Sequence, residues 1–151
     1  MSGVDEIEGI AKSVARGLKG FEKRRGPGRG NRATNRFMNV VKSRVGRRLG
    51  TKCTIEAPVG GGTDYRFDFY LPDEDTAVEM AFSIRKSPSE FEKDIFKALL
   101  ATEDATPVKR LVFLSKSGTK KKRGEPGPRA IIQFVKSRFG LSVEVREITG
   151  G

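Results

Sequence analysis

The chain has 151 residues, with 30 Lys and Arg against 19 Asp and Glu and a formal net charge of +11. Its length and 36% hydrophobic content suit one domain around one core, and the charge favours a polyanionic partner, nucleic acid first, over an acidic small molecule. With no histidine and a single cysteine, Cys/His zinc sites, imidazole acid–base chemistry and an intrachain disulfide are excluded, so catalysis would fall to carboxylates, lysines, hydroxyls or a bound cation.

In chain order, Val4, Ile7, Ile10, Ala11, Val14 and Leu18 recur at helical spacing and predict an amphipathic helix over residues 3–19. Asp5, Glu6 and Glu8 argue against a secretory leader there. No apolar run reaches the roughly 18 residues of a membrane span, so a cytoplasmic location is expected. Residues 21–32 are rich in Gly, Pro and Arg and read as a basic linker, which divides the chain into a leading segment (1–30) and a core domain (31–151). Phe37, Val40, Val41, Val45 and Leu49 form the apolar stripe of a basic helix over residues 31–49, stopped by Gly50.

Three strands are predicted next, over residues 51–57, 65–71 and 76–84, joined by turns at Gly60 to Gly62 and at Pro72 to Asp75. Cys53 alternates with Ile55 and reads as a small buried hydrophobe. A helix capped by Ser87 or Ser89 follows, with Phe91, Ile95, Leu99 and Leu100 as its inward stripe. Residues 108–114 read as a buried strand and 115–128 as a loop. A helix over 130–139 with Ile131, Ile132, Phe134 and Val135 inward, and a strand over 141–148, complete the chain. The order argues for an α/β domain, one mixed β-sheet with helices on both faces.

Pairing the second and third strands about a turn between Asp73 and Glu74 sets Leu71 against Thr76, Phe69 against Val78 and Phe67 against Met80 on one apolar face. The other face then pairs Tyr70 with Ala77, Asp68 with Glu79 and Arg66 with Ala81. Two opposed carboxylates, with Cβ atoms about 4.5–5.5 Å apart, repel unless a positive charge or a shifted pKa compensates. Mg²⁺ or Mn²⁺ held by Asp68 and Glu79 would supply that charge and would activate a phosphodiester for hydrolysis.

Asp68, ten intervening residues, Glu79-Met80-Ala81, then a helix and a strand, resemble the PD-(D/E)XK nuclease superfamily of restriction endonucleases and Holliday-junction resolvases over about residues 35–115. The resemblance implies a restriction-endonuclease-like fold, a metal-dependent DNA endonuclease and a homodimer. The sequence departs from the family in two places. The lysine position is held by Ala81, and the helix before the first strand has no acidic residue. Arg66, Arg85 and Lys93 are the cations available to replace that lysine, with Arg66 and Lys93 taken as candidate catalytic residues. Glu56, Asp64 and Glu92 are the remaining acidic candidates, each reading also as a surface or turn carboxylate.

Three basic clusters are expected to contact phosphates: Arg24, Arg25, Arg29 and Arg32 in the linker; Lys42, Arg44, Arg47 and Arg48 on the second helix; and Lys120, Lys121, Lys122 and Arg123. The last also resembles a nuclear-localisation patch. The alternatives to a nuclease are a non-catalytic DNA- or RNA-binding protein on the same fold and a ribosome- or chromatin-associated basic protein.

Overall fold

A computed structural model describes residues 2–18, 29–81 and 88–148. Arg24, Arg25 and Arg85 lie outside the described residues. The elements are α1 (Gly3–Gly17), α2 (Arg29–Leu49), β1 (Thr54–Pro58), β2 (Arg66–Leu71), β3 (Thr76–Ala81), α3 (Pro88–Glu103), β4 (Arg110–Ser115), α4 (Thr119–Arg123), α5 (Pro126–Phe139) and β5 (Ser142–Glu147). The chain is thus α/β, with one mixed five-stranded sheet in the order β1-β2-β3-β4-β5. Strands β1, β2 and β3 run antiparallel, while β3, β4 and β5 are parallel and joined by helical crossovers. The stretch expected to be a loop after β4 contains α4, and α5 begins at Pro126, because Pro is tolerated in a first helical turn.

Each sheet face buries its own apolar layer. On one side α1 and α2 contribute Val4, Ile7, Phe37, Val41 and Val45 against Phe69, Val78 and Val112. On the other, α3 and α5 contribute Phe91, Ile95, Ala98 and Val135 against Ala77, Leu111, Phe113 and Val145. Helix α1, set apart from the core domain in sequence, shares its core with α2 and the sheet. Ser2 and Asp5 cap it reciprocally. Glu74 in the β2–β3 turn also accepts the Gly3 N–H at 2.8 Å, and a Cβ on Gly3 would meet that carboxylate at 2.7 Å. Among the described residues no helix is long and apolar enough to cross a membrane.

Two inward stripes differ from expectation. Leu100 is exposed while Ala98 and Ala101 are fully buried on α3, and Phe134 is exposed while Val135 is buried on α5. The larger residue of each neighbourhood attracts a pattern reading, but close approach of α3 to the sheet selects alanine. Phe96, Leu100 and Phe139 instead border a surface groove of about 310 Å³ between α3 and α5.

Arg146 on β5 ties α1 to the sheet, reaching Asp5 at 2.9 Å, Glu8 at 3.5 Å and Glu144 at 2.9 Å. Its hydrogen bond, with that of Ser2, lowers the Asp5 pKa from 3.8 to about 2. A depressed carboxyl stabilises the fold above its unfolded pKa and loses that contribution as pH falls through its folded one. Wild-type stability is therefore expected to drop between pH 3.8 and about 2, and Arg146→Leu should flatten that drop in urea titrations across the same window.

Cys53 is 7% exposed, and burial pushes its thiol up to about 11. Native protein at pH 8 is expected to react with iodoacetamide no faster than it opens, so alkylation should accelerate only with added denaturant.

Candidate active site

The β2–β3 register matches the expected one at Phe69–Val78, Tyr70–Ala77 and Leu71–Thr76, and the paired ladder reaches no further than Phe69–Val78. Beyond it, the Asp68 carboxylate replaces a backbone partner and accepts the Met80 N–H at 2.8 Å. The pleat changes hand at the same level. Ile55 and Phe69 pack on the α1–α2 side, whereas Ala57 and Phe67 pack on the α3–α5 side. Expecting Phe67 to share a face with Phe69 and Leu71 is thereby corrected. Glu56, between Ile55 and Ala57, has φ 52°, and a left-handed residue rotates the strand out of its two-residue alternation.

Next to that break, Asp68 interacts with groups from α2 and from the β3–α3 side. From α2, the Lys42 ammonium lies 3.8 Å from Asp68 and 3.0 Å from Glu56. On the α3 side Glu79, in mid β3, is 6% exposed, and its Oε1 accepts from the Lys97 ammonium at 2.7 Å. Lys97 is also 6% exposed, donates to Asp94 at 3.2 Å and sits 5.6 Å over the Phe67 ring. Four side chains from β2, β3 and α3 thus form one acidic cluster with an internal cation: Asp68, Glu79, Asp94 and Lys97.

Electrostatics follow from burial. Desolvation, then repulsion by Asp68 and Asp94, raises the Glu79 pKa well above the ordinary carboxylate value, against the opposing pull of Lys97. Asp94 is raised for the same first reason. Burial acts to lower the Lys97 pKa, but Glu79 and Asp94 outweigh it and the net shift is upward. Raised carboxylates beside one another are the condition under which an added cation is stabilising.

Carboxylate oxygens are donors of the kind hard cations take. Among the described residues no three His, Cys, Asp or Glu side chains gather closely enough to hold an ion alone. Mg²⁺ is commonly held by one or two carboxylates, the rest of its shell being water and substrate phosphate, and Asp68 and Glu79 are two carboxylates whose charges interact here.

Other expected site residues lie elsewhere. Arg66 is exposed and donates to the Glu56 carbonyl at 3.0 Å, while the Lys93 ammonium stands 4.9 Å over the Tyr65 ring. Neither joins the carboxylates. Asp64 and Glu92 are exposed. Lys42 reaches the cluster, but Arg44, Arg47 and Arg48 line a groove of about 720 Å³ against α1 together with Asp5 and Glu6, and Arg48 pairs with Glu6 at 3.5 Å. Arg29 and Arg32 fall in the first turn of α2. Lys120 and Lys121 are exposed on α4, the short helix that also carries Lys122 and ends at Arg123.

Lys97 and Asp94 were missed by sequence reasoning. The available signal was their i,i+3 spacing together with Ala101 one turn beyond Lys97, a small residue marking close helix–sheet contact. Comparison with known proteins adds no assignment: no protein family, curated protein or solved structure matches the chain.

Proposed function

We propose that this protein is a metal-dependent DNA endonuclease of the PD-(D/E)XK type on a restriction-endonuclease-like fold, with its lysine carried by α3 instead of β3. The observation behind this reading is the buried 2.7 Å contact between Glu79 and Lys97 beside Asp68, where the β2–β3 ladder opens, in a chain of net charge +11. Ala81 follows Glu79 by two residues and is buried among the α3-side apolar residues, while the Lys97 ammonium reaches Glu79 from the helix on that side.

In this reading Asp68 and Glu79 hold the divalent cation. Such an ion would polarise a phosphodiester, offset its developing negative charge and lower the pKa of a bound water. Lys97 orients the Glu79 carboxylate through its hydrogen bond and holds a positive charge beside the reacting phosphate. Asp94 keeps Lys97 in place from the preceding helical turn. Phe67 shields one side of the ammonium from water, and Lys42 covers the Asp68 rim. DNA backbone contacts fall to the remaining surface cations, and cutting both strands of a duplex calls for two copies of the chain.

Supercoiled plasmid and branched DNA incubated with the protein in Mg²⁺, Mn²⁺ or EDTA test the proposal. Metal-dependent nicking that disappears in Asp68→Asn and Glu79→Gln is expected. Ala81 and the existing ion pairs of Lys97 favour a second reading, a non-catalytic nucleic-acid-binding protein whose acidic cluster is structural. Salt-sensitive binding with no nicking in either metal would establish that reading instead.

A further inference from the structure

Arg123 differs from the cations around it. It is 7% exposed, in contrast to exposed Lys120 and Lys121 on the same helix, and its guanidinium carbon lies 3.9 Å over the Phe91 ring. Its Nε and Nη2 are shielded from solvent and have no hydrogen-bond partner among the described residues. Those two atoms form the edge with which arginine grips a carboxylate or phosphate through two parallel hydrogen bonds. A buried donor edge left empty is unfavourable, and such a group is normally satisfied by protein, water or ligand.

A second unpartnered buried group lies at the same end of the sheet. Ser115 is fully buried, its Oγ has no partner among the described residues, and it ends β4 opposite Ala81. By strand alternation it shares a face with Phe113, whose ring packs 5.4 Å from that of Phe91 under Arg123. Both groups thus stand at the carboxyl end of the parallel strands, where ligands bind in sheets of this kind. The acidic cluster is close by: Phe91 and Asp94 lie within one turn of α3, and Asp94 acts on the charge of Arg123.

We propose that the Nε–Nη2 edge of Arg123, assisted by the Ser115 hydroxyl, is a phosphate-binding site for nucleic acid next to the carboxylate cluster. Lys120 and Lys121 would then attract the polyanion, and Arg123 would seat one phosphate in a fixed orientation. Entry requires α4 to shift, and α4 is a five-residue helix between Gly118, at φ 92°, and Gly124. The choice of ligand rests on the nucleic-acid reading above; the site itself rests on the two unpartnered groups.

The test is made in EDTA, where no cleavage is possible, so it stands apart from the nuclease assay. Binding to a dumbbell DNA duplex closed by loops at both ends, which offers only phosphodiesters, is followed by anisotropy. Arg123→Met is expected to weaken it about tenfold and to reduce the salt slope by about one. Arg123→Lys, which keeps the charge and loses the fork, should recover less than half of that loss on a logarithmic scale. Ser115→Ala should cost a smaller factor. In parallel, the Arg123 Nε–H resonance of ¹⁵N-arginine-labelled wild-type protein should move saturably with the dumbbell. A linear 5′-phosphorylated duplex and inorganic phosphate distinguish a diester seat from a terminal-phosphate seat: a shift produced only by the latter two assigns it to phosphate ends. An unmoved Arg123 resonance with every probe, or wild-type affinity for folded Arg123→Met and Arg123→Lys, would overturn the proposal. Nicking lost in Asp68→Asn with an unmoved Arg123 would reject this site alone.

Discussion

Replacing Lys97 with methionine is expected to destabilise the fold by about 3–5 kcal/mol at pH 8, because it leaves a buried carboxylate without its partner. Methionine fills the apolar part of the lysine stem over Phe67, so the loss isolates charge from packing. The pH dependence has a definite sign. Glu79 is already raised by burial, and Lys97 is the group that lowers it, so the variant's Glu79 rises further. A carboxyl whose folded pKa exceeds its unfolded value contributes stability at low pH and loses it as pH climbs through the folded pKa. The deficit of Lys97→Met should therefore be small near pH 4.5 and grow toward pH 8. Adding Glu79→Gln should remove most of it, since a neutral amide no longer needs the ammonium. Urea unfolding of wild type, single and double variants at pH 5 and pH 8 checks all three statements. A single variant within about 1 kcal/mol of wild type at pH 8, the worth of an exposed ion pair, would remove the buried-cation account.

Asp68→Asn is expected to lower Mg²⁺-dependent nicking by about three powers of ten, the rate equivalent of the several kcal/mol that a bound cation supplies. Fold stability should change by less than about 1 kcal/mol, because the asparagine Oδ1 still accepts the Met80 N–H that the carboxylate accepts now. This pairing of outcomes is what makes the substitution informative. A catalytic carboxylate and a structural one are both removed by alanine, but only the catalytic one is lost to the isosteric amide. Glu79→Gln should lose nicking equally but also lower stability, because the buried Lys97 ammonium is left with Asp94 as its remaining carboxylate. Nicking that persists in either amide variant would place the metal elsewhere, and the cluster would then be read as structural.

Lysine placement also has a simple physical account. Residues two apart on a strand share a face, so a lysine at position 81 and a lysine on the helix covering that face reach the same volume. In this chain the strand carries Ala81, and the Lys97 ammonium from α3 pairs with Glu79 two residues earlier on the same strand.

Much of the architecture was legible from local pattern. The order of helices and strands, the β2–β3 register through Phe69–Val78, the turn at Pro72 to Asp75 and the burial of Cys53 all follow from periodicity and turn chemistry, which act over a few residues. Asp68 and Glu79 interact electrostatically, but not as partners in the ladder, which ends at Phe69–Val78. What lay beyond the sequence were relations between elements distant in the chain. Phe67 packs on the opposite side of the sheet from Phe69, beside the left-handed Glu56 of the paired strand, a break that alternation within β2 does not reveal. Lys97 reads as a solvated helical lysine until α3 is laid on the sheet, since a charge is buried only where another element brings its counter-charge. Likewise, the basic run from Lys120 to Arg123 is uniform in sequence, and only the packing of α4 beside Phe91 turns its last member inward. Sequence determined which residues could meet across a turn; tertiary packing decided which charges left water.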